Sequence, residues 1–342
     1  MGATVVLPHG DLALLFSELF QTLMPDSSIT TAFASTNHFA NDLLAALQHA
    51  PRSIAPKYFY DAEGSHLFDQ ICELPEYYPT RTELSILRQR APEIASHMGA
   101  HAELVEFGAG SLTKVRLLLD AMETPSRYVP IDISGEHLAA AVSTLTADYP
   151  GLQVVPVVAD YTQAFALPPS KVGVGQRIGF FPGSTVGNFT PAEAVEFFRM
   201  AAKVLHGGAL LVGADLIKDP GVLHAAYSDT QGITAAFNLN LLARANRELG
   251  ADFDLTQWAH SAFYNAPLQR IEMHLMSCAR QSVRLQGQTF SFEEGETLHT
   301  ENSYKFTVES LRALAVLGGF TPGPVWTDVD KRFSLHWLHA PR

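Results

Sequence analysis

The sequence predicts an α/β protein, a doubly wound, Rossmann-like parallel sheet joined to a second, α+β domain. Three observations carry this. Between residues 103 and 215, short apolar runs alternate with segments of helical period, the pattern of a parallel sheet covered by helices. Helix starts are marked by capping residues and by a proline. Beyond residue 218 the alternation stops, and a helical stretch gives way to antiparallel β pattern, which calls for a separate unit.

The first strand is "ELVEF" (103–107), followed by "SLTKVRLLLDAM" with leucine and valine at helical spacing. "YVPIDI" (128–133) is the second, and Ser134 caps the helix "SGEHLAAAVSTLTADY". "LQVVPVVAD" (152–160) and "RIGFFP" (177–182) are the third and fourth. Thr190 caps "PAEAVEFFRMAAKVL", Pro191 takes its first position, and Gly207-Gly208 end it. "ALLVGAD" (209–215) is the fifth strand. Residues 219–259 read as mainly helical, 268–286 as antiparallel β, and 307–318 as a helix. "GPVWTDVD" and "RFSLHWLHA" close the sequence as two strands around the turn Asp328–Lys331. The sheet domain is therefore expected at 86–217 plus 305–342 and the second domain at 31–85 plus 218–304. Residues 1–30 are left as an N-terminal extension, open to disorder.

With 342 residues, 47% hydrophobic and 17% charged, the chain has ample core for two domains. The balance of 23 basic against 35 acidic residues gives −12, which disfavours a nucleic-acid groove or an anionic membrane surface. Cys72 and Cys278 supply neither a disulfide framework nor a metal cluster, which fits a reducing cytosol. No apolar run reaches membrane-spanning length. The opening "MGATVVLPHGDLALLFSELF" lacks a positive n-region, unlike a signal peptide. His336 and His339 fall on opposite faces of a strand, and no metal site is predicted. These points describe a soluble cytoplasmic protein without nucleic-acid or membrane partners; a monomer acting on a small molecule is the expectation.

In "EFGAGSLTK" (106–114) a strand runs into Gly108-Ala109-Gly110 and then a helix. The third glycine of the dinucleotide fingerprint is absent, which disfavours a nicotinamide oxidoreductase. A short GxG preceded by an acid suits S-adenosylmethionine (SAM), a ligand with no phosphate. Asp132 ends the second strand, where a carboxylate can take ribose hydroxyls. Asp160 ends the third, placed for the adenine amino group, and the ring of Tyr161 follows to stack on the base. Glu106, Asp132 and Asp160 at successive strand ends favour an adenosine-containing, cationic ligand. The fourth strand opens into "PGSTVGN", a polar, glycine-bearing loop where α/β proteins put their chemistry.

From about Pro56 onward the sequence resembles the histidine Nα-methyltransferases of ergothioneine biosynthesis. The matching segments are "PKYFYDAEGSHLFDQICELPEYYPTRTE", "EFGAGSLTK", "FFPGSTVGNFTP", "GADLIKD", "AYSDTQGITAAFNLNLLARANRELGADFD", "RIEMHL" and "TENSYKF". The resemblance implies a class I SAM-dependent methyltransferase domain with a substrate-binding domain. It implies trimethylation of the α-amine of L-histidine to hercynine, with S-adenosylhomocysteine as by-product. It assigns the cofactor to Tyr60, Gly108, Lys114, Asp132, Asp160 and Tyr161, with Lys114 facing the cofactor carboxylate. It assigns the substrate to Tyr77, Asn188, Tyr227, Met273, Glu301 and Ser303, with Phe68 and Gly183 in the wall. Asn188 and Tyr227 would hold the zwitterion, Glu301 and Ser303 the two imidazole nitrogens, and Met273 would lie beside the ring. Tyr77 and Asn188 are candidates for relaying the amine proton, and no residue stands out as a general base. Two rivals stay open: a relative acting on another amino acid such as tryptophan, and a ligand sensor without turnover.

Overall fold

The structure, a computed structural model, describes residues 36–110, 112–163, 165–169 and 175–342. The extension expected at 1–30 lies outside the described residues. The chain opens with α1 (Thr36–Gln48), a two-residue strand β1 (Arg52–Ser53), α2 (Ala62–Glu73) and the long α3 (Tyr78–Met98). The alternating part follows as β2 (Glu103–Phe107), α4 (Thr113–Leu119), β3 (Arg127–Asp132) and α5 (Gly135–Asp148). It continues through β4 (Gln153–Val154), β5 (Val157–Val158), β6 (Arg177–Phe181), α6 (Pro191–Leu205) and β7 (Ala209–Asp215).

The single third strand expected at 152–160 is instead the pair β4 and β5. Pro156 has no N–H to give the ladder, so pairing with β3 lapses there and resumes beyond it. The expected helix start at Thr190 is a full capping box: the Thr190 side chain accepts from Glu193 N, and the Glu193 carboxylate takes Thr190 N–H. Such a cap contributes about 1 kcal/mol to the helix.

After β7 come α7 (Pro220–Tyr227) and α8 (Ile233–Leu249), then β8 (Trp258–Asn265), β9 (Arg270–Ser277), the hairpin β10 (Gln281–Leu285) and β11 (Gln288–Phe292), and β12 (Thr297–Tyr304). α9 (Val308–Leu317), β13 (Thr321–Thr327) and β14 (Phe333–His339) finish the chain. The turn between the last two strands is tied by Asp328, whose carboxylate accepts from the N–H groups of Asp330, Arg332 and Phe333.

The large sheet runs β13-β14-β7-β6-β2-β3-β4, with β5 also on β3. Pairing is parallel from β4 to β7 and antiparallel at β14. This is the class I methyltransferase order with its reversed last strand. Alternation along β7 shows why both faces are covered. Ala209 and Leu211 join a core with α3 and α4, whereas Leu210, Val212 and Ala214 join one with α6 and α9.

A third core packs α1, α2, α7 and α8 against a four-stranded sheet, β1-β12-β9-β8. The two sheets meet where β12 ends. Phe306 N–H donates to the Asp215 carbonyl at 3.0 Å, and Ile217 N–H to the Phe306 carbonyl at 2.9 Å. The end of β12 is thereby fixed to the carboxyl end of β7, beside the loop that follows β6. Among the described residues no helix is long and apolar enough to cross a membrane.

Candidate active site

The loop after β6 is shaped by its glycines and hydroxyls. Gly183 (φ +79°) and Ser184 (φ +60°) are both left-handed and turn the chain out of the sheet. Ser184 Oγ accepts from Asp215 N at 2.8 Å, and the Ser184 carbonyl takes Gly187 N–H at 2.8 Å. Gly187 passes so near β12 that a Cβ there would come within 2.7 Å of the Tyr304 carbonyl oxygen. The 3-10 turn Thr185–Asn188 therefore rests on β12 and delivers Asn188 to the wall of a cavity.

That cavity, about 1540 Å³, opens at the carboxyl ends of the parallel strands and reaches the second sheet. It exceeds the roughly 300–1,000 Å³ usual for one ligand, and so suits two. All six residues expected to hold the cofactor line it. The Tyr161 ring lies against Gly108 and packs edge-on to Phe107 and Phe181. Asp132 Oδ1 accepts from Ser134 N at 2.8 Å. Burial alone would raise the Asp160 carboxyl, but the Thr162 hydroxyl and N–H and the Lys57 ammonium at 3.0 Å hold it below the usual range.

Glu106 also lines the cavity, buried and accepting from the Tyr128 hydroxyl. Burial pushes its carboxyl up to about 8, against the pull of Tyr128 and Lys114. The Asp132 and Asp160 carboxylates would repel a pyrophosphate, and Glu106 can ionise beside a sulfonium. These residues could hold SAM.

On the other side, Phe68, Tyr77, Gly183, Asn188 and Glu301 line the cavity. The rings of Tyr60, Phe68, Tyr77 and Tyr227 follow one another edge-on, at 5.6, 6.3 and 6.2 Å, as an aromatic wall between the two ends. Glu301 has no hydrogen-bonding partner for its carboxylate among the described residues. Burial raises that carboxyl to about 7, although the Lys305 ammonium lowers it. Tyr227, Met273 and Ser303 stand behind the lining rather than on it. Met273 faces Glu301 across the β9–β12 ladder. The hydroxyls of Tyr227 and Ser303 are 2.7 Å apart and turned to each other.

This arrangement has close relatives. The family described as "Histidine-specific methyltransferase, SAM-dependent" matches residues 39–340. The histidine N-alpha-methyltransferase of Mycolicibacterium smegmatis is 45% identical over 300 residues, 86% of this chain and 92% of that protein. Its Mycobacterium tuberculosis counterpart is 42% identical over 300 residues, 86% of this chain and 92% of that protein. Ergothioneine biosynthesis protein 1 of Neurospora crassa is 29% identical over 312 residues, 85% of this chain and 34% of that longer protein. The chain belongs to the histidine-specific, SAM-dependent methyltransferase family. It is an enzyme, and SAM is its methyl donor.

Five polar residues of this methyltransferase escaped the sequence reading. Glu83 lies on the buried stripe of α3 with Pro79, Ile86 and Leu87, and its charge on an apolar stripe was the available signal. Its carboxylate pairs with Lys114 at 2.6 Å and takes Gly183 N–H. Lys57 reaches Asp160. Asp215, at the buried end of β7, binds Lys305 at 2.9 Å and Lys218 at 2.6 Å.

A cluster of Glu272, His274 and His299 also forms on the second sheet. The His274 and His299 rings stack at 4.6 Å and 19°, so their in-plane lone pairs run side by side rather than converging on one ion. The Glu272 carboxylate already takes Arg270, Asn265 and His274.

Proposed function

We propose that this methyltransferase transfers three methyl groups in turn to the α-amine of L-histidine, forming hercynine, the first step of ergothioneine biosynthesis. In this reading the 86–217 and 305–342 segments form the SAM-binding domain and the 31–85 and 218–304 segments the substrate-binding domain, with Tyr60 lent to the cofactor and Gly183 and Asn188 to the amino acid. The observation that carries it is Glu301, a half-buried carboxylate on the cavity wall with no protein donor among the described residues. A ring N–H is the partner it lacks. A substrate without one leaves that carboxylate unpaired, and sites built this way can discriminate by roughly 10⁴–10⁵.

SAM supplies an activated methyl on a sulfonium, so the residues have to position a neutral amine and let its proton leave. Asn188 offers both an acceptor and donors from one amide on the loop after β6. Burial first, then the neighbouring Tyr227 phenol, pushes the Tyr77 hydroxyl well above its ordinary value. Tyr77 therefore stays protonated and takes part by hydrogen bonding, not as an ionised base. Any relay through Tyr77 or Asn188 ends on water. The wall of Tyr60, Phe68 and Tyr77 presents aromatic surface to the amine as it gains methyl groups, and such surface stabilises a quaternary ammonium. The test is a competition. With SAM and equal histidine, tryptophan and tyrosine, product masses should show methylated histidine alone; methylation of another amino acid in its place would refute the reading.

A further inference from the structure

Lys305 lies two residues beyond Ser303 on the same extended run, so Glu301, Ser303 and Lys305 share one face. Its ammonium is fully buried and spends all three protons. They go to Asp215 Oδ2 at 2.9 Å, Ser303 Oγ at 2.8 Å and Tyr227 Oη at 3.1 Å. An ammonium is a donor only, so both hydroxyl oxygens accept from it. Those oxygens are also 2.7 Å from each other, close enough that one hydroxyl donates to the other. Two hydroxyl protons minus the one in that mutual bond leaves one to give a ligand.

We propose that Lys305 is a positioning residue that turns Tyr227 and Ser303, buried directly behind the cavity lining next to Glu301, into a single-proton donor for the amino-acid substrate. This rests on reading the cavity as an amino-acid site. Asp215 fixes the ammonium. It is itself held at the end of β7 by the Tyr78 hydroxyl at 2.6 Å and Lys218 at 2.6 Å, so the large sheet sets the orientation of the pair.

The chemistry selected follows from the count. Glu301 takes one N–H, and the hydroxyl pair gives one O–H. A ring with one N–H and one bare nitrogen satisfies both, as a neutral imidazole does. An indole or pyrrole has the N–H but no bare nitrogen and leaves the hydroxyl proton unpaired. An imidazolium brings a second cation towards the buried ammonium.

The test uses the full chain. In Lys305→Met, KM for histidine should rise about tenfold or more while the SAM dissociation constant stays within about threefold. The preference for histidine over 3-(pyrrol-2-yl)alanine should narrow, and Lys305→Arg should recover part of both. Equal losses towards SAM and histidine, or an unchanged preference, would overturn the proposal and leave Lys305 a structural pillar.

If Lys305→Met does not fold, the count is read from Tyr227→Phe, Ser303→Ala and their double variant. Each single variant keeps one proton for the ligand, so the double loss in kcat/KM should exceed the product of the single fold-losses. A double loss no greater than that product would contradict the one-proton pair. Product identity from the wild type decides the substrate reading separately. These variant ratios are taken on whichever amino acid the wild type methylates.

Discussion

The Lys114 ammonium and the Glu83 carboxylate stand 2.6 Å apart, and the same carboxylate takes the Gly183 N–H at 3.0 and 3.1 Å from its two oxygens. One buried group thus ties the helix after the GxG turn to the loop that carries Asn188. Glu83 also lies over Gly213, where a side chain on β7 would collide with its carboxylate. Breaking a buried pair by neutralising one partner costs about 3–5 kcal/mol, because the other charge is left uncompensated. Glu83→Gln should lower the denaturation midpoint and weaken SAM binding measured by calorimetry. Wild-type values for both would show that the pair positions nothing.

Glu106 gives a signature of cofactor charge. Its carboxyl is raised to about 8, so near neutral pH it is mostly protonated in the free enzyme. A cationic ligand beside it draws the pKa down, and the proton leaves on binding. SAM titrations in buffers of different ionisation enthalpy should show net proton release at neutral pH, and Glu106→Gln should abolish it. Heats independent of buffer would argue against contact between Glu106 and the cofactor charge. The sign for stability is linked. The folded value lies above the unfolded one, so this group's contribution is fully present below about 4.5 and is lost as pH rises through about 8.

Glu301 should leave its mark on the pH profile. Burial raises it to about 7, and the ionised carboxylate accepts a ring N–H much more strongly than the neutral acid does. kcat/KM for histidine should climb as pH rises through about 7, and Glu301→Gln should lose that step while retaining the titration of the substrate itself. Glu301→Ala should cost about a hundredfold or more in histidine kcat/KM and far less in SAM affinity. Equal losses in both would move Glu301 out of the substrate site.

Gly187 tests the loop. A methyl group there would press within 2.7 Å of the Tyr304 carbonyl on β12. Overpacking of this kind costs about 1–3 kcal/mol, and relief of the clash would shift Asn188. Gly187→Ala should lower the denaturation midpoint and raise KM for histidine more than for SAM. An unchanged KM for histidine would place Asn188 away from the amino acid.

Much of the architecture was legible because strand and helix leave local marks. β2, β6 and β7 fall where apolar runs of five to seven residues end in polar turns, and Thr190 with Glu193 announces α6. Pro156 was equally readable as a break, since it removes a ladder donor, yet the apolar run around it masked the effect. The strand-end acids and the "PGSTVGN" loop are local marks too, and they line the cavity. The buried pairs were not legible. Glu83 meets Lys114 from another helix, and Lys305 meets Asp215 ninety residues away, so neither leaves a periodic trace. Lys305 did sit in register with Glu301 and Ser303, and strand alternation alone placed it on their face.

The most direct test of this account is the stoichiometry of methyl transfer. With excess SAM and limiting L-histidine, S-adenosylhomocysteine released per histidine consumed should reach three, with one product carrying three equivalent N-methyl groups. A ratio that stops at one, or methyl groups found on a ring nitrogen, would contradict the account.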